Sequence, residues 1–96
     1  MSEENENLVP CEAALTNAAK LSIRDDKPIM LDYWTASCDK DVLIGVREDG
    51  EKLLVKSEEE YTSPVSKIYK VESEYIIITE NSIYIVASDI PTRKIS

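Results

Sequence analysis

Four sets of residues in this chain are of types that can do chemistry. The first is Asp39 and Asp41 with Asp32 nearby in sequence, whose carboxylate oxygens suit a hard cation. The further ligands and the glycine of a calcium loop are missing, so a solvated loop is expected. The second is Cys38, beside Asp39 and Lys40. No helix start or basic cluster is there to favour its thiolate, and Asp39 disfavours it, so the residue reads as structural or incidental. The third is the adjacent carboxylates Asp25 and Asp26, and the run Glu58 to Glu60. Acid–base work needs two carboxyls whose surroundings push their pKa values apart, whereas neighbours in polar loops form solvated faces. The fourth is aromatic: Tyr33, Trp34, Tyr61, Tyr69, Tyr75 and Tyr84, with no Phe. Tyr and Trp suit core margins and subunit interfaces alike, while stacking on bases would require neighbouring positive charge that is scarce here.

Absences narrow the chemistry further. The chain has no His, which removes the commonest general base and most zinc and iron sites. Its two glycines, Gly45 and Gly50, make no phosphate loop and no dinucleotide fingerprint. The expectation is therefore a protein that is not an enzyme, with no catalytic residues, no cofactor and no metal site.

Charge acts on the choice of partner. With 11 basic and 19 acidic residues the formal net charge is −8, which opposes direct binding to nucleic acid and to anionic membrane surfaces. Such a chain stays soluble and can attract a basic partner. The N-terminus is acidic and polar where a signal peptide would be basic and then apolar. No apolar run approaches the ~20 residues of a membrane span. An intracellular, non-secreted protein with Cys11 and Cys38 reduced is expected.

The elements that must position these residues follow from pattern. Residues 1 to 8 read as a disordered acidic tail, and residues 9 to 96 as a single globular domain, long enough to bury roughly 60–65% of its unfolded surface. From Pro10 an Ala-rich stretch with Glu12 in its first turn predicts a helix ending at Arg24 to Pro28. Its docking stripe is Cys11, Leu15, Ala18, Ala19 and Ser22, with Ala14 and Leu21 beside it. Residues 29 to 34 alternate as a strand, and a polar loop follows from Thr35 to Asp41. Asp49 and Gly50 suit a two-residue type I′ hairpin turn, which would set Val46 opposite Leu53 and Ile44 opposite Val55. Glu58 to Pro64 reads as a surface loop. Three strands then form a meander, Lys67 to Glu72, Tyr75 to Thr79 and Ile83 to Ala87, with turns at Ser73–Glu74 and Glu80–Asn81.

The meander has apolar residues on both faces. Tyr69, Val71, Ile76, Ile78, Ile83 and Ile85 share the face that must be core. Ile68, Tyr75, Ile77, Tyr84 and Val86 lie on the other, where a half-solvated sheet would be polar. A helix of three to four turns, ~20 Å long, cannot shield both. The predicted class is α+β: one N-terminal helix packed on a five- to six-stranded antiparallel meander sheet that stays open or rolls into a small barrel. Tyr75, Ile77, Tyr84 and Val86 are the expected homodimer interface, because a large bare apolar patch marks an interaction surface.

Tyr61-Thr62-Ser63-Pro64-Val65, Lys67-Ile68-Tyr69-Lys70-Val71 and the run from Glu74 to Val86 resemble segments of short uncharacterised proteins of large amoeba-infecting DNA viruses, marseillevirus-like and mimivirus-like. The resemblance implies a small non-enzymatic viral protein, associated with the virion or the host cytoplasm, and assigns no functional residues. The main functional expectation is thus a structural or interaction protein that pairs with itself. The alternative is an acidic decoy or chaperone that binds a basic nucleic-acid-binding protein through Glu58, Glu59, Glu60 and the N-terminal tail.

Overall fold

Helix α1 forms where the Ala-rich stretch predicts it, over Glu12–Asp25, in a computed structural model that describes residues 10–39, 41–57 and 59–95. Cys11 caps its start, the thiol sulfur accepting from the Ala14 N–H at 3.4 Å. Asp26 closes the other end in the left-handed region at φ 57°, which Asp tolerates better than most residues, and its N–H donates to the Ser22 carbonyl. The buried positions are Ala14 and Ala18, with Cys11 and Leu21 packed beside them. Leu15, expected on the docking stripe, is 36% exposed. The small alanines let the helix lie close against the sheet, and turning Leu15 downwards would hold it off. The tail expected over residues 1 to 8 lies outside the described residues.

Two mixed sheets replace the single antiparallel meander. The first has the order β1-β6-β5-β4, from β1 (Ile29–Met30), β6 (Ile83–Ala87), β5 (Glu74–Thr79) and β4 (Val65–Val71). The second has the order β3-β2-β7, from β3 (Lys52–Val55), β2 (Leu43–Val46) and β7 (Thr92–Lys94). The pairs β1·β6 and β2·β7 are parallel, and neither sheet closes into a barrel. The α+β class therefore holds, while the meander describes only β4 to β6.

Within the meander, β5 and β6 pair as their pattern predicts, Ile78 opposite Ile83 and Ile76 opposite Ile85. The Thr79 hydroxyl accepts from the Asn81 and Ser82 N–H groups at 3.3 and 3.2 Å and holds that turn. A turn at Ser73–Glu74 would set Val71 opposite Ile76 and Tyr69 opposite Ile78, whereas the register is two residues from that, with Tyr69 opposite Ile76 and Val71 opposite Glu74. The turn falls at Glu72–Ser73, Glu72 taking a positive φ of 55°, and Glu74 joins the strand. A shift of two preserves the faces, so Tyr69 and Val71 still lie over the same core as Ile76 and Ile78.

The β2–β3 hairpin differs by one residue, which matters more. Its pairs are Leu43–Val55, Ile44–Leu54, Gly45–Leu53 and Val46–Lys52. The Gly50 N–H donates to the Arg47 carbonyl at 2.9 Å, and the Arg47 N–H to the Glu51 carbonyl at 2.8 Å. Only Gly50 has a positive φ there, 93°, so the loop holds three residues and Asp49 keeps an ordinary conformation, its carboxylate accepting from the Glu51 N–H at 3.0 Å. Ile44 and Leu54 consequently point inwards, and Leu43, Gly45, Leu53 and Val55 form the other face.

The predicted strand 29 to 34 stops after Met30. Residues 31 to 33 turn, and Trp34–Cys38 forms a short helix, α2, where a strand end and a loop were expected. The change of backbone sends adjacent aromatics to opposite sides of the first sheet. Trp34 joins Ala14, Ala18, Ile76, Ile78, Ile83 and Ile85 under α1, whereas Tyr33 joins Val42, Ile44, Leu54, Ile77, Val86 and Ile90 under the second sheet. The three layers are thus α1, the four-stranded sheet and the three-stranded sheet, with a core in each gap.

Helix α2 also completes the β6 edge where β1 ends. Ser37 is fully buried, donates its hydroxyl to the Trp34 carbonyl at 2.6 Å and accepts the Ala87 N–H at 2.9 Å. Replacing Ser37 with Ala strands that N–H, and the expected cost is about 1–3 kcal/mol in urea unfolding with an unchanged m-value. A loss below about 0.5 kcal/mol, within the range of ordinary surface changes, would show that the hydroxyl does not hold the edge.

Candidate functional site

The outward face of the three-stranded sheet follows from its register. Across β3, β2 and β7 the first row is Val55 and Leu43, and the second is Leu53, Gly45 and Arg93. Continuing the alternation places Arg47 and Ile95 in a third. Gly45 is the low centre: a β-carbon there would come within 2.6 Å of Ile95 Cδ1 and 3.1 Å of Val55 Cγ2. The Ile95 side chain occupies the space a larger residue would need. The result is an open groove of about 1170 Å³, apolar at the Leu43 and Val55 end and bounded by Arg47, Glu48 and Asp49 at the hairpin end.

Tyr61 stands at the rim, 53% exposed. Its backbone is fixed although its ring is free. It bridges Val55, and the next residue, Thr62, donates its N–H to the Leu54 carbonyl at 3.0 Å while its hydroxyl accepts the Leu54 N–H at 3.1 Å. The segment therefore covers the outer edge of β3, as exposed strand edges require.

Three cations line the groove. Arg47 lies 4.0 Å from Glu51, and Lys56 lies 3.6 Å from Glu60, with its ammonium 5.5 Å from the centroid of the Tyr33 ring. Both ion pairs are solvent-exposed and weak. Arg93 is exposed, with no ion pair among the described residues. Burial, then Tyr84, Glu60 and Asp32, pushes the Tyr33 hydroxyl up to about 12, so it stays protonated at neutral pH.

The residues expected at a homodimer interface are elsewhere. Ile77 and Val86 are fully buried, and Tyr75 and Tyr84 are half-buried against the same core, the rings of Tyr33 and Tyr84 meeting edge-on at 5.3 Å. The second sheet of the same chain covers this face, so the bare patch read from the meander is not bare. Of the acidic loop, Glu58 lies outside the described residues, and Glu59 and Glu60 are exposed on a turn closed by the Glu60 N–H donating to the Ser57 carbonyl at 3.3 Å.

The remaining candidates stay apart. Asp32, Asp39 and Asp41 are all exposed, and no group of three metal-ligating residues occurs among the described residues. Asp25 pairs with Arg24 at 2.9 Å, which lowers its pKa, while Asp26 is the helix cap. Cys11 and Cys38 are not joined in a disulfide. Burial raises Cys11, aided by Glu74, whose buried carboxylate accepts from the Ser73 hydroxyl at 3.1 Å. Burial raises Cys38 too, with Asp39, Glu74 and Asp89 adding to it.

Arg93 and Ile95 were not among the sequence candidates. They reach the groove only through the parallel β2·β7 pairing, sealed by the Ile44 N–H donating to the Pro91 carbonyl and the Ile95 N–H to the Val46 carbonyl, both at 2.9 Å. The fold is a three-layer α+β arrangement whose outer sheet carries an open groove lined by apolar side chains and by charged ones of both signs. Comparison with protein-family models, with curated proteins and with solved structures finds no match.

The thiol environment sets a reactivity. In a Cys11→Ser variant, alkylation of exposed Cys38 by iodoacetamide should be slower at pH 7.5 than that of free cysteine, because a raised pKa leaves less thiolate. The rate should climb about tenfold per pH unit and keep rising beyond the ordinary thiol range. A rate that has levelled off by pH 8 would contradict the raised pKa.

Proposed function

We propose that this chain is a non-enzymatic interaction protein that engages another protein through the outward face of its three-stranded sheet. The observation that carries the reading is the open apolar groove with Tyr61 fixed in backbone and exposed in side chain. An exposed Tyr on a backbone held by strand pairing, beside aliphatic residues, has the composition of a binding hot spot. The lack of His and of any glycine-rich loop in the sequence supports a binding role over catalysis.

The acidic-contact reading has less support. Glu60 already faces the Lys56 ammonium, and the apolar surface lies on the groove side of that loop. A virion-associated role, which the resemblance of residues 61 to 86 implies, is compatible with an interaction protein and draws on no residue of the groove. Among the described residues no helix is long and apolar enough to cross a membrane.

Site-specific photo-cross-linking tests the proposal. A benzoylphenylalanine placed at Tyr61 should give a discrete protein adduct in lysate of the native source, and the same group at exposed Lys20 on α1 should not. The adduct should vanish with Leu43→Glu, provided circular dichroism shows that variant folded. Equal adducts at both positions, or an adduct indifferent to Leu43→Glu, would overturn the assignment of the working face.

A further inference from the structure

We draw no further inference here: the strongest candidate, the apolar groove beside Tyr61 on the outer face of the three-stranded sheet, belongs to the site already described, and with charges of both signs lining it nothing in the structure shows what covers it.

Discussion

The structure depends on one constraint: strands β5 and β6 bury both of their faces. Ile76, Ile77, Ile78, Ile83, Ile85 and Val86 are all at most 2% exposed, so successive residues, not alternate ones, have left water. Each such side chain contributes about 1.5–3 kcal/mol when fully covered. A central antiparallel pair of this composition is stable only with a layer on each side. Helix α1 supplies one layer with Ala14 and Ala18, and the β3-β2-β7 sheet supplies the other with Ile44 and Leu54.

Several local features read as consequences of that demand. The backbone turns at residues 31 to 33, and the turn lets Tyr33 and Trp34 enter different cores. Ser37 then takes over from β1 as the partner of the β6 edge. The chain returns after Ile90 to lay β7 beside β2, widening the second sheet to three strands. That sheet spends its inner face on covering β5 and β6. Its outer face still carries Leu43, Leu53, Val55 and Ile95 around a glycine, so the groove arises from the same arrangement that closes the core.

How far this was legible differs from element to element. The helix could be read because Ala content, Pro10 and Pro28 agree on its limits. The β5–β6 register could be read because a tight turn and an uninterrupted Ile pattern admit one alignment. The β2–β3 hairpin was misread by one residue: Asp49–Gly50 also fits a three-residue loop with only Gly50 at positive φ, and local sequence does not separate the two. Helix α2 was hidden because Trp34 fits a period of two as well as a helical turn. Strand β7 has three exposed residues, no alternation, and a partner far away in sequence. The surplus apolar face was recognised from Ile77, Tyr84 and Val86, but its cover was sought in barrel closure or a second copy, where a separate sheet of the same chain provides it. Tyr61 belonged to the aromatic set from the start, whereas Arg93 and Ile95 join it only through the long-range β2·β7 contact.

The central claim, that the second face of the β5–β6 pair is covered by the same chain, can be tested by methyl NOE spectroscopy. Mixed samples of differently labelled copies separate contacts within one chain from contacts between chains. The structure predicts NOEs from the Ile77 and Val86 methyls to those of Ile44 and Leu54 within a single chain, persisting on dilution. The same contacts appearing only in the filter that selects between copies, or lost on dilution, would contradict it.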